Sequence, residues 1–517
     1  MNLSTETESR HNLARAIGKG TFFGMVVSVT QVLTRLVTVP IVIRHLGLGG
    51  YGIWSIIMVT ATYMRFGSVG IKSAFQKYVA EATANQDYKR ANILLSTGSA
   101  IMVALSMAGL VPAMFFSRQI AEFSGVPFQF LHSAANAITL LALIMFMANS
   151  GAAFEAIVMG GHRIDLVRKF STCLAIGEAM GIIGVLHGGF GLAAMATVMG
   201  TSELVYLACC FFASRKIVPQ VQIGSQWLRK DAIYEIFRFG GSFQLVSVLE
   251  VVYNSLVPIA VLRSFGADLS GVYAIVTRIT GAATSLLESF FAPILSGGTL
   301  VYASGKIDEI KVLLGKAFKA TLGLTLFPFA FIALFGPTIA YAWTGQHNPS
   351  FRPAFWFVCL RCLFAGFSVL ALVLYRVSGG AILDSIRQVL RIAVILLILA
   401  FARSLGFIGI MSGLAVCEFF GMVFMLYALA KTFVAFEASV ILRSTFRLAV
   451  AALLICAVGL AASHIPLPGL KPGRLFAMFQ LLEAITACLL VAWPLLRQTG
   501  SVTAGERRAL YTSLFPE

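Results

Sequence analysis

The sequence lacks the short motifs that mark common catalytic and metal sites. Its seven His are scattered without a His-Glu-x-x-His arrangement, and no Walker motif accompanies Gly18-Lys19-Gly20. The eight Cys show no second half of a zinc or disulfide pattern, either at Cys209-Cys210 or at Cys359 and Cys362. We therefore expect a protein that is not an enzyme and that holds no metal and no organic cofactor.

Long polar segments are also missing. The longest segment outside the predicted helices, about 214–238, is basic and too short for a catalytic domain. Residues 1–16 are polar with no cleavage pattern, and the apolar stretch after them is too long for the core of a signal peptide. We therefore expect neither a soluble domain nor a secretory signal peptide.

Apolar residues dominate what remains. Hydrophobic residues make up 58% of the chain, and the mean hydropathy is +0.87. A spanning helix needs about 20 predominantly apolar residues. Runs of this kind predict helices 1 to 14 near residues 17–43, 50–79, 92–116, 131–159, 170–187, 189–213, 239–264, 269–297, 312–341, 353–378, 383–402, 406–430, 446–464 and 475–496. The sequence therefore predicts an all-α integral membrane protein with about fourteen transmembrane helices.

The Lys and Arg residues alternate between the two sides of this predicted membrane protein. Of the 39, 28 fall on one side, seven fall on the other, and four fall within helices. Arg387 and Arg391 are counted on the basic side. Because cytoplasmic segments are enriched in Lys and Arg, the basic side and both termini are predicted to be cytoplasmic. The net charge of +17 then reflects topology, and nucleic acid is not an expected partner.

The sequence repeats itself at one constant offset. Residues 52–57 match residues 271–276, and further along the chain residues 160–168 match residues 379–387. The offset spans six helices, an even number, which indicates two parallel six-helix lobes around a central cavity. The predicted divisions are a tail over 1–16, an N-lobe over 17–213, a linker over 214–238, a C-lobe over 239–430, two additional helices over 431–496 and a tail over 497–517.

Polar side chains recur on one face of the first helix of each predicted lobe. Helix 1 carries Ser28, Gln31, Arg35 and Thr38, and helix 7 carries Gln244, Ser247, Glu250 and Asn254. A charge at bilayer depth is costly unless it meets water or a partner, so we expect these residues to line the central cavity. The alternative is a structural contact between Arg35 and Glu250 that holds the two lobes together.

Other predicted helices carry further charges. These are Arg65 and Lys72 on helix 2, Arg278 and Glu288 on helix 8, and Arg361 on helix 10. Lys72 can alternatively extend to the cytoplasmic interface. Because Arg and Lys suit phosphate, the predicted cavity favours an anionic substrate. The remaining intramembrane acids are paired within a lobe, protonated, or part of a coupling-ion site: Glu155, Glu178, Glu203, Glu418 and Glu483.

The first part of the chain, up to residue 90, resembles a known family. The segments that carry the resemblance are Ala16-Ile17-Gly18-Lys19-Gly20, Val39-Pro40, Leu46-Gly47, Tyr51-Gly52-Ile53-Trp54, Phe66-Gly67-Ser68-Val69-Gly70 and Lys77-Tyr78-Val79-Ala80-Glu81. They are similar to the opening of bacterial Wzx-type flippases for O-antigen and exopolysaccharide, in the multidrug/oligosaccharidyl-lipid/polysaccharide superfamily. Beyond residue 90 the resemblance rests on the fourteen-helix, two-lobe plan.

The resemblance implies a substrate and a route. It implies that an undecaprenyl-pyrophosphate-linked oligosaccharide moves from the cytoplasmic to the periplasmic leaflet of the bacterial inner membrane by alternating access. It also implies a cavity lined by helices 1, 2, 7 and 8, and polysaccharide-assembly partners such as a polymerase and a chain-length regulator. The expected substrate-binding residues are Arg35, Arg65, Lys72, Arg278, Arg361, Gln31 and Asn254. For coupling to H⁺ or Na⁺ the candidates are Glu250 and Glu288.

Three other functions remain open at this point. A lipid II flippase has the same helix count and a cationic cavity. A multidrug antiporter is expected to have twelve helices and an acidic pocket for cationic drugs. An integral-membrane polymerase or glycosyltransferase needs a substantial loop at the membrane face, and the connections on the less basic side are too short for one.

Overall fold

Wherever the structure describes the chain, it consists of helices and the segments that connect them, without a strand. The computed structural model describes residues 3–63, 69–161, 163–303, 307–377, 381–432, 438–464 and 473–498, with some side chains inside these ranges left undescribed. The α-helices are α1 (Leu3–Tyr63), α2 (Val69–Asn85), α3 (Tyr88–Phe123), α4 (Phe128–Gly160), α5 (Ile164–His187), α6 (Leu192–Ile217), α7 (Asp231–Phe265), α8 (Ala267–Ala303), α9 (Ile307–Thr344), α10 (Phe351–Val377), α11 (Ala381–Ala400), α12 (Ala402–Thr432), α13 (Ala438–Ser463) and α14 (Arg474–Gln498). A 3-10 turn spans Ser225–Trp227.

Eleven stretches in the described helices are long and apolar enough to cross a membrane. The prediction of an all-α membrane fold is therefore confirmed. The number of fourteen spans stays a prediction, because α2, α8 and α11 are not among the eleven. In α11, three charged residues, Asp384, Arg387 and Arg391, interrupt an otherwise apolar helix.

Glycines with positive φ turn the chain at six helix connections. They are Gly47 inside α1, Gly125 between α3 and α4, Gly189 between α5 and α6, Gly266 between α7 and α8, Gly345 between α9 and α10, and Gly406 near the start of α12. At Gly47 the angles are φ 74° and ψ 172°, a region that is essentially restricted to glycine. Gly47 therefore divides α1 into two limbs. The helix runs through residues 44–49, where the sequence predicted a gap between helices 1 and 2.

The positions of the positive-φ glycines follow the internal repeat of the sequence. Gly47 and Gly266 occupy equivalent positions in the sequence repeat, and both combine a positive φ with an extended ψ, 172° and 179°. The other positive-φ glycines pair in chain order at similar spacing, Gly125 with Gly345 and Gly189 with Gly406. All six hairpins fall in segments that the charge count assigns to the less basic side, because each of them reverses the chain after an odd-numbered predicted helix.

The chain divides into two compact units, Met1–Gly271 and Val272–Glu517. In the first unit, α4 packs against α2, α3 and α6, and α1 packs against α5 and α7. In the second unit, α10 packs against α9 and α12, and α13 packs against α9 and α14. The predicted linker, 214–238, lies inside the first unit.

Part of this linker is fixed to α3 by side-chain hydrogen bonds. The backbone N–H of Gln222 donates to Asn92 Oδ1 at 2.8 Å, and that of Arg229 donates to Thr97 Oγ1 at 3.1 Å. Asn92 and Thr97 are buried, so their polar atoms depend on these partners. This part of the linker therefore has a fixed position against α3 of the first unit.

Two repeat-equivalent glycines of the first unit lie in close contact. A Cβ atom added to Gly52 would lie 2.5 Å from the carbonyl oxygen of Ala267 and 2.6 Å from the backbone nitrogen of Gly271. Only glycine permits such an approach of the second limb of α1 to the first turn of α8. Gly52 and Gly271 are the first residues of the two matching segments in the sequence.

Candidate functional site

Four residues of the predicted polar faces of α1 and α7 are exposed in the first unit, whereas Thr38 is half-buried and the side chains of Ser28, Gln244 and Ser247 lie outside the described residues. Gln31 and Arg35 on α1 are exposed, and so are Glu250 and Asn254 on α7. Both helices contain candidate membrane spans, and the two helices pack together. A charged side chain on the surface of a spanning helix is stable where it meets water or an ionic partner. These four residues therefore have the exposure that a hydrated substrate path requires.

Arg35 has an ionic neighbour that the sequence did not assign to it. Arg35 interacts electrostatically with Glu178 of α5. Glu178 also interacts electrostatically with Glu203 of α6. The packing of α5 against both α1 and α6 brings these three side chains together. Glu178 thus lies between the positive charge of Arg35 and the negative charge of Glu203.

A second polar group lies between α4, α5 and α6. The Tyr206 hydroxyl of α6 is hydrogen-bonded to Ser171 of α5 and interacts electrostatically with Glu155 of α4. Of the intramembrane acids that the sequence left open, Glu155, Glu178 and Glu203 therefore all have polar or charged neighbours inside the first unit.

In the second unit, Arg278 and Arg361 have different surroundings. Arg278 on α8 is exposed, as the predicted role requires. Arg361 on α10 is only partly exposed and lies against the buried thiol of Cys362, which also contacts Thr284 of α8. Arg278 is therefore the more accessible of the two cations for a substrate.

A network of buried charges joins α11 to α12. Arg387 Nη2 lies 3.1 Å from Asp384 Oδ1, and Arg387 Nη1 lies 3.4 Å from Glu418 Oε1. Arg391 Nη2 lies 2.6 Å from Glu418 Oε2, and Arg391 Nη1 donates to Gln388 Oε1 at 2.9 Å. Arg387 and Arg391, which the charge count places on the basic side, therefore have buried side chains, only 7% and 9% exposed.

The internal repeat places an equivalent acid in the first unit, with different partners. Asp165, the repeat equivalent of Asp384, is bound by Arg163 at 3.0 Å and lies 4.0 Å from Lys169. The side chain of Asp165 is 21% exposed, against 1% for Asp384. The same acidic position is thus partly exposed in one repeat and buried in the other.

Three predicted site positions cannot be compared with the structure. Arg65 lies outside the described residues, and so do the side chains of Lys72 and Glu288. Their roles stay predictions.

A groove of about 470 Å³ runs between α5 and α6 in the first unit. Gly177 and Gly181 line it from α5, and Thr197 and Thr201 line it from α6. The hydroxyls of both threonines donate to backbone carbonyls one turn earlier, at 3.0 Å. The groove therefore presents a mainly apolar surface and no charged side chain among its lining residues.

Among the residues that the structure describes, no group of three or more His, Cys, Asp and Glu side chains is arranged to hold a metal ion. The ion pairs and exposed single charges described above can bind and release an anionic group or a small cation.

Comparison with known sequences gives a distant relative. No family model matches the chain. An uncharacterized membrane protein, EpsK of Bacillus subtilis (strain 168), is 21% identical over 344 residues. The matched region covers 64% of this chain and 65% of EpsK, so the match spans just under two thirds of the relative.

Solved transporter structures match over most of the chain. The lipid II flippase MurJ in an inward closed conformation has a TM-score of 0.67 and 14% identity, over 92% of this chain and 99% of MurJ. An inward-facing multidrug resistance MATE transporter of the MOP superfamily has a TM-score of 0.65 and 17% identity, over 78% of this chain and 96% of its own. At such identities the likeness establishes the fold. The protein is therefore a multi-pass membrane protein with the transporter fold that MATE proteins and MurJ share.

Proposed function

We propose that the protein is a flippase that moves an undecaprenyl-pyrophosphate-linked oligosaccharide across the bacterial inner membrane for exopolysaccharide or O-antigen synthesis. The observation that carries the proposal is the exposure of Gln31 and Arg35 on α1 and of Glu250 and Asn254 on α7, two helices that pack together. A guanidinium on a spanning helix can bind a pyrophosphate through two parallel hydrogen bonds. The second unit has an exposed cation of its own, Arg278.

Arg35 gives this proposal a mechanism. In the absence of substrate Arg35 interacts with Glu178, which also interacts with Glu203. A pyrophosphate that binds Arg35 competes with Glu178 for the guanidinium. The two carboxylates, left beside each other with less compensation, then favour the uptake of one H⁺ or Na⁺. Substrate binding and cation binding would thus support each other, which is the coupling that a secondary transporter needs.

Glu178 and Glu203 therefore join Glu250 and Glu288 as candidate coupling residues. Alternating access requires that substrate or cation bind the two states of the transporter with different affinity. We propose that the inward and outward states differ in how far Glu178 contacts Arg35. The basic side and both termini would be cytoplasmic, and a polymerase and a chain-length regulator would act on the exported product.

The second candidate is lipid II translocation, which is favoured by the likeness to MurJ over 92% of this chain. Both substrates carry the same polyprenyl pyrophosphate, so Arg35 and Arg278 would serve either. The difference lies in the sugar, for which the described residues name no binding group. A multidrug antiporter is disfavoured because a cationic drug would be repelled by Arg35 and Arg278.

The test is a leaflet-exchange assay with the purified chain in liposomes. Fluorescent undecaprenyl-pyrophosphate oligosaccharide and fluorescent lipid II are supplied in separate preparations, and a membrane-impermeant quencher reports the outer-leaflet fraction. Protein-dependent exposure of the oligosaccharide, accelerated by an imposed H⁺ or Na⁺ gradient, is the expected result. Exposure of lipid II alone would establish the second candidate. Export of a cationic drug with neither lipid exchanged would contradict both.

A further inference from the structure

Two histidines meet in the first unit, one on α1 and one on α5. The ring centroids of His45 on α1 and His187 on α5 are 4.9 Å apart, with 57° between the ring planes. Both side chains are exposed. Each His stands just before a hairpin glycine, Gly47 or Gly189. The pair therefore lies where the first limb of α1 and helix α5 both end.

The same nitrogen is occupied in both rings. His45 Nδ1 is 2.9 Å from the carbonyl oxygen of Ile41, and His187 Nδ1 is 2.9 Å from that of Ile183. A carbonyl oxygen can only accept, so Nδ1 carries the proton in each neutral ring. The Nε2 atom of each ring is then left with a free lone pair. A metal-ligating His almost always donates its other ring N–H in this way, commonly to a backbone carbonyl.

The distance between the rings suits a shared metal ion. With a Zn–N bond of about 2.1 Å and a near-tetrahedral angle, two imidazoles on one ion place their ring centroids roughly 5 Å apart. The observed 4.9 Å agrees with that spacing. The exposure of both rings leaves room for water or an additional ligand to complete the coordination.

We propose that His45 and His187 form a binding site for a divalent transition metal such as Zn²⁺, Ni²⁺ or Cu²⁺. Imidazole nitrogen suits these metals, and Cu²⁺ binds most tightly among them. The bound ion joins α1 to α5 beside their two glycine hairpins. Arg35 lies on α1 and Glu178 lies on α5. The ion therefore also fixes the position of α1 relative to α5, on which the interaction between Arg35 and Glu178 depends. The inference uses the geometry of the first unit and does not depend on the transported substrate.

The test uses the full chain, purified without a polyhistidine tag and stripped of metal with a chelator. Cu²⁺ is titrated into the protein in detergent, and electron paramagnetic resonance counts the nitrogen ligands. We expect one Cu²⁺ per chain with two imidazole nitrogens. His45→Phe and His187→Phe each keep an aromatic ring in the contact, and each should lower the affinity at least tenfold.

His132→Phe is the matched control, since His132 is an exposed His of α4 that is hydrogen-bonded to Asn136 of its own helix. It should leave the affinity and the spectrum unchanged. Zn²⁺ should also raise the Tm of the wild-type chain and of His132→Phe, but not that of either pair variant. Unchanged Cu²⁺ affinity in His45→Phe or in His187→Phe would overturn the proposal, and so would an equal loss in His132→Phe.

Discussion

Arg391 and Glu418 form a buried ion pair between α11 and α12, with Arg391 Nη2 2.6 Å from Glu418 Oε2. Their side chains are 9% and 2% exposed. Gly421, nearly one turn after Glu418, leaves the space in which the aliphatic parts of Arg387 and Arg391 lie against α12, at 3.5–3.6 Å from an added Cβ. Two Arg and two acids thus neutralise one another inside the second unit.

Replacing one member of this ion pair should lower the free energy of unfolding more than replacing both members. Glu418→Gln leaves Arg391 buried without a counter-charge, and we expect a loss of about 3–5 kcal/mol in the free energy of unfolding. Adding Arg391→Met should restore part of that loss, because the unpaired charge disappears. Thermal unfolding of the purified variants in detergent measures both.

Glu122→Gln is the control for this cycle, since its pair with Arg118 on α3 is exposed. We expect that change to cost less than about 1 kcal/mol. Strictly additive losses for Glu418→Gln and Arg391→Met would mean that the two side chains do not stabilise each other.

The proposed substrate path predicts that Arg35 and Arg278 are required for transport. Arg35→Ala and Arg278→Ala should each abolish export, because each removes a cation available to the pyrophosphate. The protein should still reach the membrane in normal amount. Export in a strain lacking the wild-type gene, with an immunoblot of the membrane fraction, checks both points.

Arg118→Ala serves as the matched control for these two variants, since Arg118 is an exposed Arg on α3 with an acid of its own helix as partner. Its export should match wild type. Wild-type export from both Arg35→Ala and Arg278→Ala would rule out the cationic path.

The coupling mechanism predicts opposite effects of Glu178→Gln on binding and on coupling. Without the Glu178 charge, Arg35 is freer to bind a phosphate, so substrate affinity should rise several-fold. The acceleration of lipid exchange by an H⁺ or Na⁺ gradient should fall. Binding to the detergent-solubilised protein and exchange in liposomes measure the two effects separately.

Glu250→Gln is the comparison for this experiment, since Glu250 is an acid on the exposed face of α7. If Glu250→Gln abolishes the gradient effect and Glu178→Gln does not, the coupling residue is Glu250 and the role given to Glu178 is wrong.

The close contact between Gly52 and Gly271 predicts strong sensitivity to a single methyl group. Gly52→Ala would place a Cβ 2.5 Å from the carbonyl oxygen of Ala267, so the backbones must separate. We expect a loss of roughly 1–3 kcal/mol in stability, as for overpacked interiors, measured by the change in Tm. Gly281→Ala on α8, where an added Cβ meets no atom within 4 Å, should not lower the Tm and should raise it slightly, because Ala favours a helix more than Gly does.

The sequence by itself determined the class of fold. Apolar length, the alternation of basic segments and the constant offset of the repeat are local or additive properties, so they can be counted without knowing which helices touch. The same reasoning found Gln31, Arg35, Glu250 and Asn254, because a polar stripe on an apolar helix is visible in the spacing alone. The positive-φ glycines occur at similar positions in the two repeats. Of their three pairs, only Gly47 and Gly266 are separated by the same offset as the matching sequence segments.

Only the tertiary structure decided the partners of the charges. Arg35 and Glu178 lie far apart in the sequence, on α1 and α5, and Arg391 is separated from Glu418 by a hairpin, so spacing along one helix names neither pair. Asp384 and Arg387 repeat the pattern of Asp165 and Arg168, yet one acid is buried and the other partly exposed. Burial and pairing depend on which helix faces each side chain, and that is fixed by packing over the whole unit rather than by the residues nearby. For the same reason, the sequence did not indicate that His45 and His187 are neighbours, because their contact depends on the packing of α1 against α5.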